Sequence, residues 1–540
     1  MADAQPKRET WGSRLGVILA VTGSAVGLGN FLRFPGLAAQ YEGGAFMIPY
    51  FIALLLIGLP LAWAEWAMGR YGGVRGFNST PGIYRTIWPH KAAPYIGVTG
   101  ILIPVGIFMY YVVIEAWCLA YAWYYLTGKM AQLGAAATTP TGLNRDLYVA
   151  LFTQFTGATH DGAIFTRAGL PTLLFVSLCF ALNYAIIYRG LSKGIEKFCI
   201  WAMPALIVCA LLVLLRVLTL PHISAGLGFM WNPRTRNIGF FQSLANPRMW
   251  LDATAQIFFT LSVGFGIIIT YASYLKQDDD IALSSLTSCA GNEFCEVGLG
   301  GLITIPAAFL FLGATQVTQV SGSSFNLGFN TLPMVFQSMP LGQAAGFAFF
   351  FLLFLAALTS SLSMLQPAIA LLEEGLGLNR KASVSLLGFI TLIGALFVLY
   401  FSKGTLALAT FDFWTGTFLI FVLALFQTVL FGWVLGIQRG LAEIDRGAEI
   451  RIPRIVGFIL KYISPFYLAI IFFMWLWQQI QTPGDDNMFL AIGRQPAVTL
   501  SVGFLILVTI LFSLLVTQSV KRWERAHDRP EHSPIPETPQ

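Results

Sequence analysis

Charge is what this sequence has least of: 11% of its 540 residues are Asp, Glu, Lys or Arg, against 56% that are hydrophobic. A soluble domain needs a charged surface, and a mean hydropathy of +0.70 excludes one. Most of the chain consists of apolar stretches long enough to cross a bilayer. There is no basic stripe with interleaved aromatics, so the net charge of +6 is an orientation bias and not a nucleic-acid footprint. Cysteine is scarce too. Cys118, Cys179, Cys199, Cys209, Cys289 and Cys295 all fall in predicted spans and none makes a CxxC pair, which excludes a disulfide framework and a thiolate metal site. No His, Cys and carboxylate cluster suggests a transition metal. A nucleophile, a base and an orienting group do not occur together as an enzyme requires, and the isolated Glu65 and Glu115 read as buried hydrogen-bond partners. What abounds is aromatic: 45 Phe, 18 Tyr and 14 Trp suit a protein facing lipid and its interfaces.

Twelve apolar runs of about 20 residues follow one another, at 13–37, 41–70, 93–126, 169–187, 194–216, 250–275, 283–313, 344–372, 382–401, 406–437, 456–479 and 494–519. The first, with its basic start, imitates a signal peptide, but it continues as a full span and is retained. An even count puts both termini on one side. Arg70, Arg75, Arg85 and Lys91 share a loop without an acid, Lys193 and Lys197 follow Arg189, and the tail opens with Lys521, Arg522 and Arg525. The positive-inside rule makes these segments, and both termini, cytoplasmic, although Arg234, Arg236 and Arg248 argue weakly the other way. Residues 217–249 then form an extracellular loop, 438–519 carry the last two spans, and the polar, proline-rich 520–540 is expected to be a disordered tail.

Two spans are weakened at mid-depth. "GSAVGLGN", residues 23–30, sets three glycines, a serine and an asparagine in the first span, and "FFTLSVGFGIIITYASY", residues 258–274, sets Thr260, Ser262, Gly264 and Gly266 in the sixth. Unwound backbone exposes carbonyls that attract a cation and N–H groups that attract an anion, and the bilayer tolerates it only around a buried site or cavity. Asn30, Thr260 and Asn292 add neutral oxygens of the kind hard monovalent cations prefer. Plainer readings stand beside this one. Gly23 and Gly27 form a GxxxG packing pair, the hydroxyls of residues 359–361 can bond back to their own helix, Arg33 can snorkel and Asp412 can cap a helix. Two breaks, opening spans one and six, point instead to two five-helix halves, 13–216 and 250–437, related as inverted repeats around a midplane site.

Seven segments, "GSAVGLGNFLRFP", "GGAFMIPY", "GLPLAWAEWAMGRYGG", "QIFFTLSVGFGIIITYASY", "FNLGFNTLP", "LTSSLSMLQP" and "DFWTGT", closely resemble the neurotransmitter:sodium symporter family, in particular its bacterial amino-acid members. The likeness runs from about Trp11 to the last span. It implies an all-α membrane protein of twelve transmembrane helices, a five-plus-five inverted repeat with discontinuous helices one and six. It also implies the plasma membrane of a prokaryote and two sodium sites. One sodium would touch the substrate carboxylate, Asn30, Thr260, Asn292 and the carbonyl of Ala25; the second would sit between the carbonyls of Gly23, Val26 and Ala356 and the hydroxyls of Thr359 and Ser360.

The same resemblance implies an amino-acid site. N–H groups near Leu28 and Gly29, with the Tyr111 hydroxyl, would hold the carboxylate, while Ala25, Phe259, Thr260 and Ser262 would receive the amino group, and Ser360 is counted among the substrate residues as well. Ile107, Phe259, Phe265 and Met364 would wall the side chain, although each taken alone reads as core packing. Arg33 and Asp412, with Gln256 nearby, would close the outer side above a lid of Phe259 and Tyr111; Arg8 and Glu374, with Tyr274, would close the inner side from the segment 1–12. Related sequences often carry Asp where this one has Glu374. Monoamine-carrying relatives place an aspartate at Gly27, so the cargo here should bring its own carboxylate.

Glu296 lies four residues after Asn292, on the same face of span seven. Chloride-requiring members of the family carry a serine there. A fixed anion would balance the sodium charge without chloride and could take a proton on the return step; the bland alternative is a neutral acid bonded in the core. The sequence therefore reads as a sodium-coupled symporter for small to medium apolar amino acids, with sodium, the amino acid and the lipid bilayer as partners. No nucleic acid and no covalent chemistry are implied, and a homodimer is compatible with it. The rival is a transporter-like sensor or receptor that binds without moving its cargo, against which intact gate pairs at both faces would argue.

Overall fold

The computed structural model describes residues 9–41, 43–139, 142–233, 239–482 and 487–527. Ten of its helical stretches are long and apolar enough to span a bilayer, and a bent pair, Arg14–Ala25 and Gly29–Gln40, makes an eleventh. The remaining apolar run, 250–275, is the one split into Pro247–Leu261 and Ile267–Ala272, each too short to cross alone. Twelve apolar runs thus become twelve membrane-crossing units. β structure among the described residues amounts to a short antiparallel pair, Thr138–Thr139 with Gly142–Leu143, and an isolated bridge between Gly43 and Pro233.

Burial sorts the spans into layers. The apolar windows of Ala93–Leu126 and Gly342–Leu376, spans three and eight, are 89% and 94% buried within the protein, whereas those of spans four, five, eleven and twelve are 28–33% buried. Spans three and eight therefore form the centre and the other four face lipid, which their exposed Leu174, Trp201, Phe466 and Leu507 suit. Span seven runs over Ile281–Ser321, longer than expected, and turns sharply where Gly313 adopts φ 74°. The loop expected at 217–249 is partly helical, with Ile223–Trp231 and Phe240–Leu244. At the far end the last helix, Pro496–His527, runs eight residues into the segment expected to be a disordered tail. Trp523 packs edge-on against Phe77, 5.3 Å between centroids, and Arg85 lies 4.0 Å from Glu524, so contact with the first loop holds this extension.

Candidate functional site

Both weakened spans are broken where the glycines stand. The first half-helix ends at Ala25; Val26 is extended (φ −72°, ψ 105°), and the chain resumes at Gly29 as a π-helical turn, bent by 51°. In span six, Ser262, Gly264 and Gly266 have φ of 55°, 78° and 83°, the left-handed region that glycine enters freely. The Gly264 N–H donates to Glu65 Oε1 at 3.0 Å, so a buried carboxylate holds the unwound stretch. Ser262 Oγ donates to the Ser24 carbonyl at 3.1 Å, joining the two breaks.

The expected oxygens converge in two clusters. In one, Asn30 Nδ2 donates to Asn292 Oδ1 (2.9 Å), Glu296 Oε2 (3.1 Å) and Thr260 Oγ1 (3.2 Å), while Asn292 Nδ2 donates to Thr260 Oγ1 (2.9 Å). Asn292 and Glu296 do share a face. Asn30 Oδ1 accepts the Gly27 N–H at 2.8 Å, so its nitrogen and not its oxygen faces Thr260 and Asn292. A half-turn of that amide exchanges the two and presents oxygen, as a sodium ion would require. In the other cluster Ser360 Oγ lies 2.9–3.4 Å from the carbonyl oxygens of Gly23, Ser24, Val26 and Ala356. Thr359 Oγ1 is 3.0 Å from the Ala356 carbonyl, which is the back-bonding that the plain reading of these hydroxyls requires, in the same place as the inter-helix contacts. Glu115, in span three, accepts from Asn183 Nδ2 (3.0 Å) and Ser361 Oγ (2.8 Å) behind them.

A cavity of about 570 Å³ descends from one face to Leu28, Gly29, Tyr111 and Phe259, with Arg33 and Asp412 on its walls. Ile107, Phe265 and Met364 are buried and do not line it. Phe259 meets Phe265 edge-on at 6.3 Å. At Gly27 a Cβ would lie 3.0 Å from the Tyr111 hydroxyl and 3.3 Å from Ser360 Oγ, leaving no room for an aspartate without displacement.

The gates differ from expectation. Arg33 and Asp412 form no ion pair within 4.0 Å among the described residues: the guanidinium lies 5.1 Å over the Phe259 ring, and Asp412 Oδ1 accepts the Tyr110 hydroxyl at 2.6 Å. Each has another partner, and both line the cavity. Gln256 belongs to the carboxylate cluster, donating to Glu296 Oε1 at 2.8 Å, and not to the gate. At the opposite face Arg8 lies outside the described residues, and Glu374 accepts from the Asn78 and Ser79 N–H groups and the Ser79 hydroxyl in the first loop. Arg380 is the cation that meets Tyr274 there. Its Nη2 donates to Gln366 Oε1 (3.0 Å), Gln366 Nε2 donates to the Tyr274 hydroxyl (2.8 Å), and its Nη1 lies 3.5 Å from Glu373 and 4.0 Å from Glu9. Trp11 Nε1 donates to the Tyr271 carbonyl at 2.8 Å and seals the same side. A basic residue six positions beyond Glu374 was the available signal for Arg380. Glu293, bonded to the Tyr50 hydroxyl at 2.9 Å beside Asn292, had none beyond its charge.

Comparison with known proteins places the chain in a family of transporters. The chain is 28% identical over 474 residues, 87% of its length and 90% of the relative's, to an uncharacterized sodium-dependent transporter of Methanocaldococcus jannaschii. It is 27% identical over 555 residues to the sodium-dependent neutral amino acid transporter B(0)AT3 of Mus musculus, covering 89% of this chain and 87% of that one. Among solved structures it resembles MhsT in complex with L-phenylalanine, with a TM-score of 0.72 and 29% identity over 86% of this chain and 99% of that chain. The model of the sodium:neurotransmitter symporter family matches residues 8–144 and 160–522, and with two broken helices facing each other across clustered oxygens, the chain belongs to that family of secondary transporters and is not an enzyme.

Proposed function

We propose that the protein imports small to medium apolar amino acids together with sodium, by alternating access between two five-helix repeats, across a prokaryotic plasma membrane with both termini inside. The observation that carries this reading is the pair of oxygen clusters joined at the two helix breaks: Asn30, Thr260 and Asn292 on one side, and Ser360 with the carbonyls of Gly23, Val26 and Ala356 on the other. Neutral oxygens suit sodium, and this reading places one sodium site at each cluster. Its carboxylate would meet the Leu28 and Gly29 N–H groups, the Tyr111 hydroxyl and the first sodium. The closeness of Gly27 to Tyr111 supports a cargo that brings this carboxylate itself. Ile107, Phe265 and Met364 do not line the open cavity and would wall the cargo side chain once the site closes, favouring an aliphatic group over tryptophan, and the phenylalanine complex of MhsT is in keeping with an apolar cargo. Glu296 takes the place of chloride beside the first sodium, so transport needs no halide. Arg33 and Asp412 close the outer side during the cycle, while Arg380 with Tyr274 assists the inner gate.

Uptake of radiolabelled amino acids into proteoliposomes under an imposed sodium gradient tests the reading, with chloride or gluconate as the only anion. Concentrative uptake of leucine-sized cargo in both anions is expected. Binding without accumulation would instead identify a sensor.

A further inference from the structure

We propose that the groove where span four turns into span five is a binding site for the headgroup of an anionic phospholipid. The helix Leu170–Ile187 ends there, Gly190 reverses the chain with φ 88°, and the π-helical turn Leu191–Glu196 leads into Lys197–Leu218. A Cβ on Gly194 would overlap the Ile186 carbonyl and lie 3.3 Å from Arg189 Cβ, so the missing side chain lets the turn close tightly. Arg189, Lys193 and Lys197 are thereby gathered around a groove of about 190 Å³, walled otherwise by Ile186, Phe198 and Trp201.

Three positive charges crowd this groove without neutralisation. All three side chains are exposed, and none forms an ion pair within 4.0 Å among the described residues. The two acids that could serve them are engaged on the inner side of the turn. Glu196 accepts from the Gly12 N–H at 2.7 Å and from Ser13 Oγ at 2.9 Å, and Glu9 accepts from the Leu191 N–H at 2.5 Å. An anion is the group that completes the cluster.

The walls say which anion. Trp201 is 74% exposed and lies one turn beyond Lys197, on a span whose apolar window is only 33% buried, so one wall of the groove faces acyl chains. A free phosphate would use the cations and leave the aromatic wall unused. A phospholipid uses both, its phosphate among Arg189, Lys193 and Lys197 and its chains along Phe198 and Trp201; basic pockets between membrane helices are suited to such headgroups. The turn also grips the start of span one through Glu196, so lipid on its outer side and the amino-terminal segment on its inner side share one structural element.

The test uses the full chain in detergent, with dioctanoyl phosphatidylglycerol, dioctanoyl phosphatidylcholine and inorganic phosphate as separate probes, read by thermal unfolding and native mass spectrometry. Phosphatidylglycerol alone is expected to raise the unfolding midpoint and give a retained adduct, because a ligand of the folded state stabilises it. The triple variant Arg189→Gln, Lys193→Gln, Lys197→Gln should lose both effects. If that variant does not fold, the single Lys193→Gln should weaken the half-saturating lipid concentration at least threefold. Equal shifts from phosphatidylcholine, an equal shift from phosphate, or an unchanged response in the charge variants would each overturn the proposal.

Discussion

Glu296 has no exposed surface, yet it keeps three side-chain partners: Gln256, Asn30 and the Thr260 hydroxyl. A carboxylate at this depth is costly unless it is compensated, and the sodium proposed beside Asn30 and Thr260 supplies the compensating charge. Replacing Glu296 with Ser removes the fixed anion while keeping a hydroxyl. The variant should take up cargo in chloride and lose at least tenfold in rate in gluconate, where the wild type is indifferent. Indifference of the variant as well would remove this role from Glu296. That Asn30, Thr260, Asn292 and Ser360 would come together at the two breaks was legible from their polar types beside weakened or apolar runs, whereas Thr359 is seen bonded back to its own helix. Arg380, Glu293 and the Ser24 carbonyl were not legible, because their parts depend on side-chain and backbone directions set by neighbours far away in sequence, such as Gln366, Tyr50 and Ser360.

At the scale of elements, span six shows how a helix is kept broken. Three residues within five have positive φ, and a Cβ at Gly266 would fall on the backbone of Gly100 in span three. Alanine at 266 therefore meets both a strained backbone and an occupied space, which costs about 1–3 kcal/mol. Gly266→Ala should lower the thermal midpoint in detergent and weaken cargo binding with it; a midpoint equal to the wild type's would show that the two spans can separate freely. The existence and order of the membrane elements were legible, because twenty-residue apolar runs are long and uninterrupted signals. The π-helical turns were not, nor was the helical extension past residue 519, which depends on Phe77 and Arg85 receiving Trp523 and Glu524.

Across the whole molecule the two ends of the site are unequal. One side is a cavity of about 570 Å³ with Arg33 and Asp412 apart, and the other is packed by Trp11, Tyr271, Tyr274 and the Arg380 cluster. This is the asymmetry that an alternating-access cycle exchanges. A gate contact made in only part of the cycle matters more to turnover than to equilibrium binding. Arg33→Ala and Asp412→Asn should each lower uptake at least tenfold and change cargo affinity by less than threefold, measured by uptake and scintillation proximity on the same preparations. Wild-type uptake in both variants would remove the outer gate assignment.

By itself the sequence determined that the protein lives in a bilayer, how many times it crosses, which two spans break and which family's motifs it carries. Those properties follow from local composition: apolar length, glycine content and the residue types beside each break. Only the tertiary structure decided that Arg33 and Asp412 stand apart, that Gln256 serves Glu296, that Glu374 turns to Asn78 and Ser79, and that Arg380 meets Tyr274 through Gln366. A long polar side chain can reach several partners from one backbone position, and the packing of spans from distant parts of the chain selects among them.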